Sequence, residues 1–111
     1  MNFKNLFIEF SEEKRTLTSK KVDSNSNYYR IVMKDMRNNL KNYIQQTNLI
    51  VSPSVGRGNY ADVPWICILS DNPRISPSAQ KGIYIVLLFT KEGDAFYLTL
   101  GQVLQILTKR I

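Results

Sequence analysis

Two spacings of apolar residues divide the chain. Phe3, Leu6, Phe7, Phe10 and Leu17 recur at helical intervals, interrupted by Lys14. The spacing predicts an amphipathic helix within residues 2–20, with Glu12, Glu13, Lys14 and Arg15 on or near its wet side. Residues 19–27 are polar and contain S-N-S-N, the composition of a connecting loop. A second helix is expected from about Tyr28 to Gln46, its stripe formed by Tyr29, Val32, Met33, Met36, Leu40, Tyr43 and Ile44. Arg30, Lys34, Arg37 and Lys41 recur on another face. That stripe is either an ordinary solvated face or one able to lie against phosphates.

From Asn48 the period shortens. Leu49–Val51 begins a strand that Pro53 is expected to limit. Trp65–Leu69 follows, with Trp65, Cys67 and Leu69 on one face and Ile66 and Ile68 on the other. Ser70–Lys81 holds two prolines and no period, so it reads as a loop. Ile83–Phe89 is apolar on both faces, which predicts a central strand covered on both sides. Lys91-Glu92-Gly93-Asp94 reads as a hairpin turn into Ala95–Leu100, and Val103–Leu107 as the start of a helix. No repeats or low-complexity linkers occur. Helices and strands are segregated, so the expected class is α+β: two amino-terminal helices followed by a mixed, largely antiparallel sheet of about four strands.

At 111 residues the chain is expected to form a single domain, 1–111, with one modest core, small for a self-contained enzyme. The longest apolar run, Ile83–Phe89, is far too short to cross a bilayer. The amino terminus carries glutamates and lysines where a secretory signal needs an apolar stretch, so a cytoplasmic location and no membrane partner are expected. Fifteen Lys and Arg against nine Asp and Glu give a net charge of +6, which favours a polyanionic partner by long-range attraction. Nucleic acid is the commonest such partner.

The absences narrow the chemistry further. With one cysteine and no histidine, an internal disulfide, a structural zinc site and histidine-dependent nucleophilic catalysis are all excluded within the chain. Cys67, in an apolar strand, is expected to be a buried, inert thiol.

The densest concentration of special residues is V-G-R-G-N-Y-A-D-V-P-W-I, Val55 to Ile66. Gly56 and Gly58 permit positive φ or close backbone approach, and Asn59 tolerates the left-handed region. Pro64 fixes the entry into the next strand. The Lys-[Ser/Thr] of a phosphate loop and its following helix are missing, so this is no nucleotide cradle. The junction is suited to placing Arg57, Asn59, Tyr60 and Trp65 at the edge of a sheet.

The order G-x-G-N-aromatic, then V-P-W and aliphatic residues, resembles the amino-terminal DNA-recognition domain of McrB-type, modification-dependent restriction systems. The series continues with S-x-S-A-Q-K-G-I-Y-I-V-L-L-F, Ser76 to Phe89, and F-Y-L-T-L-G-Q, Phe96 to Gln102. The resemblance runs from roughly Leu49 to Gln102, with two helices preceding it as in the family. It implies a non-enzymatic module that binds double-stranded DNA bearing a modified cytosine, turns the base out of the duplex and examines it in a pocket. A GTP-driven motor domain and a nuclease subunit are the implied partners, and no cofactor is implied for the reader itself. Members usually continue well past the strand corresponding to Phe96–Leu100, so a shortened domain is expected.

By the same resemblance, Trp65, Tyr84 and Leu88 are candidate pocket walls, each with core packing as its alternative. Asn59 and Tyr60 are candidates for contact with the DNA backbone or the flipped nucleotide, although capping the tight turn also explains Asn59. Arg57 stands where family members can carry an aromatic. An arginine there can fill the gap in the duplex, contact a guanine edge or neutralise a phosphate. Arg74 and Lys81 are candidate phosphate contacts, or simply surface charges. Two other classes stay open: a sequence-reading or non-specific DNA binder, and a protein-assembly domain using exposed aromatics. A small metal-dependent nuclease would have to use Asp62, Asp71 and Glu92, which stand at no recognisable spacing.

Overall fold

The computed structural model describes residues 2–44, 49–70 and 82–103. Helix α1 (Phe3–Arg15) starts at Asn2, whose side chain accepts the backbone N–H of Asn5 at 2.9 Å, and carries Lys14 and Arg15 in its last turn. Both features match the helix dipole and its unpaired terminal N–H groups. The second helix is not a plain α-helix. α2 (Asn27–Arg30), capped by Ser26, runs without a break into a π-helical stretch (Ile31–Met36) and then α3 (Arg37–Tyr43).

The buried face of this helix keeps helical spacing through the π stretch. Tyr28, Ile31, Val32 and Met36 are fully buried, whereas Tyr43, expected in the apolar stripe, is 79% exposed. Tyr28, Ile31 and Val32 stand at i, i+3 and i+4, the spacing of one helical face, although the expected stripe left out Tyr28 and Ile31. The expected basic stripe, Arg30, Lys34, Arg37 and Lys41, is exposed throughout. Arg30 forms both ion pairs found among the described residues, to Glu9 at 3.7 Å and Asp35 at 3.2 Å.

Four strands follow in the order β1-β2-β3-β4, every neighbouring pair antiparallel. They are β1 (Leu49–Ser54), β2 (Trp65–Ser70), β3 (Gly82–Phe89) and β4 (Phe96–Val103). Pro53 does not end β1; it pairs with Ile66 in register. This is allowed because β1 is an edge strand, where a missing N–H can face away from the sheet. Val103 belongs to the end of β4 rather than to a helix, and 104–107 lie outside the described residues.

The helices pack on one face of the sheet. Leu6, Phe10, Tyr28, Ile31, Val32 and Met36 form a single core with Val51, Val55, Ile66, Leu87 and Phe89. Phe10 lies between Tyr28, on which it stacks at a centroid distance of 5.6 Å, and Phe89, whose ring is tilted against it at 4.6 Å. β3 is internal as expected, but it is not covered along its length on both sides: Ile85 is 40% exposed.

The β3–β4 turn is built by Thr90, whose Oγ1 donates to the Asp94 carboxylate at 2.7 Å and accepts the N–H groups of Asp94 and Ala95 at 3.2 Å. Gly93 in this turn has φ +75°, and a Cβ there would stand 3.0 Å from Lys14 Cδ. Lys14, expected on the wet side of α1, is half-buried against this glycine, and burial lowers its pKa despite the opposing pull of Asp62 and Glu92.

Candidate nucleic-acid interface

The segment from Val55 to Pro64 joins β1 to β2 and is closed on itself. Ala61 N–H donates to the Val55 carbonyl at 2.7 Å, and Asn59 N–H to the Arg57 carbonyl at 2.8 Å. Gly56 has φ +117°, and a Cβ there would fall 2.4 Å from the Asn59 oxygen and 2.5 Å from the Ala61 nitrogen. Only glycine fits this position. Gly58, at φ +72°, faces open space. Arg57 stands exposed between them. Asn59 needs no left-handed backbone, because positive φ among the described residues is confined to glycine.

The loop is held to the rest of the protein by a short antiparallel ribbon. Val22 N–H donates to the Gly58 carbonyl and Tyr60 N–H to the Lys20 carbonyl, both at 2.8 Å, and Lys21 pairs with Asn59. Tyr60 is the fastener. Its ring meets Tyr28 edge-on at 5.1 Å, and its hydroxyl accepts Asp23 N–H at 3.0 Å while lying 3.0 Å from Ser26 Oγ. Ser26 in turn accepts Tyr29 N–H at 3.2 Å and so starts the second helix. The Tyr60 hydroxyl is thus turned toward the 23–26 segment, a scaffold position.

The opposite face of the sheet is free of helix contacts among the described residues. Cys67 and Val86 are buried there, flanked by Trp65, Leu69 and Leu88. Burial pushes the Cys67 thiol pKa up, the state of an inert thiol. Trp65 and Leu88 are direct cross-strand partners, and the same row ends in Ser54 and Tyr97. Tyr97 is 63% exposed and Ile50, on the same face, 48%. The alternation Trp65/Cys67/Leu69 against Ile66/Ile68 is the expected one.

The eight sequence-derived site residues are therefore not gathered in one place. Trp65 and Leu88 adjoin, at the sheet end that carries the Arg57 loop. Tyr84 pairs with Leu69, four residues along β3 from Leu88, or about 13 Å at strand rise. Arg74 and Lys81 lie outside the described residues; the strand ends on either side of them, Ser70 and Gly82, are at the opposite end of the sheet from Arg57. Asp62 and Glu92 are exposed, Asp71 lies outside the described residues, and no group of three metal-ligating side chains gathers among the described ones.

Sequence reading passed over Lys20 and Lys21. Both are exposed on the ribbon beside Asn59 and Arg57, brought there by hydrogen bonds between segments some 37 residues apart. No local pattern marks that pairing.

A two-layer α+β domain with an exposed arginine in the β1–β2 loop, beside a tryptophan-bearing sheet face that no described helix covers, is the class that these elements define. The chain belongs to the MrcB-like N-terminal domain family, which residues 8–110 match. No curated protein and no solved structure matches it significantly. No helix among the described residues is long and apolar enough to cross a membrane.

Proposed function

We propose that this domain is the DNA-recognition module of a modification-dependent restriction system and reads a modified cytosine turned out of the duplex. The observation that carries this reading is the Trp65–Leu88 pair on the sheet face that no described helix covers, at the end where the Arg57 loop projects. Trp65 is half-buried beside Cys67 and Val86, so part of its side chain stays accessible. An indole held in this way is a stacking surface, and a stacked base contributes about 1–3 kcal/mol. That offsets part of the few kcal/mol needed to unstack a base, and contacts to the substituent in the pocket add to it. Leu88 supplies an apolar neighbour for a methyl-sized group.

Arg57, exposed between two glycines, supplies the charge that holds or enters the duplex. Motor and nuclease activities belong, on this reading, to other domains or subunits, and the module itself carries no catalysis. The test is binding to one duplex carrying cytosine, 5-methylcytosine or 5-hydroxymethylcytosine at two salt concentrations. A preference for one form that Trp65→Ala abolishes supports the reading. Equal, salt-steep binding to all three identifies a non-specific or sequence-reading DNA module instead.

Exposure of Tyr97 and Ile50 on the same face favours a second reading, a protein-assembly surface. Self-association insensitive to salt, with no DNA binding, would favour that alternative.

A further inference from the structure

The geometry points to the ribbon formed by Lys20–Val22 and Gly58–Tyr60 as a preorganised clamp for the DNA phosphate backbone, with Lys20, Lys21 and Arg57 supplying charge and Asn59 an amide. It rests on the DNA-recognition reading above and adds to it the part that fixes register.

Three observations carry the inference. The first is rigidity. Two 2.8 Å cross-ribbon bonds, the Val55–Ala61 closure and the Tyr60 hydroxyl network hold both strands of the ribbon in one shape. Preorganised donors need not be ordered at the moment of binding. The second is charge. Lys20, Lys21 and Arg57 are all exposed, and none takes part in an ion pair among the described residues. Asp23 and Asp62 are the acids closest in sequence to the ribbon, and the Asp23 carboxylate is already accepting Asn25 N–H at 2.9 Å.

The third is position. Lys21 and Asn59 are cross-ribbon partners, with Cβ atoms about 5 Å apart, so an ammonium and an amide face the same site. The ribbon's second strand runs directly into Trp65 through buried Pro64, whose carbonyl accepts Phe89 N–H at 3.1 Å. A phosphate held on the ribbon is therefore tied, through the four residues from Ala61 to Pro64, to the base-reading face. Backbone contacts set register and orientation, whereas base contacts specify.

The helix face bearing Lys34, Arg37 and Lys41 is the competing phosphate track. All three are exposed, on the helices that pack against the sheet face opposite Trp65.

The experiment compares the salt dependence of duplex binding for the parent, Lys20→Ala/Lys21→Ala and Lys34→Ala/Lys41→Ala. Each lost phosphate contact removes about 0.9 from the slope of log K against log salt. The ribbon variant is expected to lose about 1.8, so that between 50 and 200 mM salt its affinity falls about tenfold less than the parent's. The loss should be equal for modified and unmodified duplexes, with the thermal midpoint unchanged. The helix variant is expected to keep the parental slope. Parental slope in the ribbon variant overturns the clamp while leaving DNA recognition intact, and more so if the helix variant loses slope. Absence of DNA binding by the parent overturns both.

Discussion

Alanine at Gly56 and alanine at Gly58 are expected to differ sharply in cost, although the two glycines are separated by a single residue. At Gly56 the new Cβ meets two backbone atoms, at 2.4 and 2.5 Å, so no side-chain adjustment relieves it. The loop must open, and three backbone hydrogen bonds depend on its shape: Ala61 to Val55, Val22 to Gly58 and Tyr60 to Lys20. At about 1 kcal/mol each, their loss amounts to about 3 kcal/mol. At Gly58 the Cβ meets nothing within 4 Å, which leaves only the left-handed backbone cost of about 1–2 kcal/mol. Part of that is offset by the lower entropy of an unfolded chain with one glycine fewer, about 0.4–1 kcal/mol. For a domain of this size 1 kcal/mol corresponds to about 4–8 °C. Thermal unfolding followed by circular dichroism should show Gly56→Ala melting about 12–24 °C below the parent and Gly58→Ala, at a central net cost of about 0.8 kcal/mol, about 3–6 °C below. Equal losses, or a larger loss at Gly58, would refute the described loop geometry.

Other consequences follow from single side chains. Tyr60→Phe removes the hydroxyl that joins Asp23 and Ser26 but keeps the edge contact with Tyr28; it should cost about 1 kcal/mol in urea unfolding and leave DNA selectivity unchanged. A change in selectivity would return Tyr60 to the binding site. Tyr28 is buried with a hydroxyl that lacks a hydrogen-bond partner among the described residues, so Tyr28→Phe should be neutral or stabilising by about 1 kcal/mol. Burial, and secondarily Tyr60, raises the Tyr28 pKa above its ordinary value of 10.0. The neutral form is thus favoured by folding: its contribution is complete below pH 10 and declines as pH rises beyond it, because the unfolded chain releases the proton first. Stability measured from pH 9 to 11 should fall more steeply in the parent than in Tyr28→Phe, and parallel profiles would contradict this. Cys67, buried with a raised pKa, should resist alkylation at pH 8 until urea unfolds the domain. Rapid labelling of the folded protein would contradict its placement.

The fold was largely legible where a local period decides the structure. Leu6 and Phe10 in α1, the alternation along Trp65–Leu69 and the Gly93 turn all follow from spacing and turn chemistry. The π stretch was not legible, since nothing in the composition of residues 31–36 marks it, whereas Tyr28 and Ile31 stand at helical spacing with Val32 and were open to a reading that began the stripe one residue earlier. Pro53 misled for a related reason: whether proline ends a strand depends on whether that strand is an edge, which is a property of the finished sheet. In the candidate site, Trp65 and Leu88 met as cross-strand partners, whereas Tyr84 is one full row and more removed. Tyr60 and the lysine ribbon were set by the docking of residues 20–26 on the 58–60 segment, a non-local event that no spacing encodes.

The central claim, that the Trp65 face reads a base beside a basic loop, is tested most directly by equilibrium binding of a single duplex in its cytosine, 5-methylcytosine and 5-hydroxymethylcytosine forms, measured for the parent, Trp65→Ala and Arg57→Glu. Trp65→Ala must first be shown to be folded, because removing a packed tryptophan typically costs about 3–5 kcal/mol. The account expects the parent to prefer one modified form, folded Trp65→Ala to bind all three alike while keeping much of its salt-dependent affinity, and Arg57→Glu to lose binding to all. Parental affinity and selectivity in both variants would contradict it.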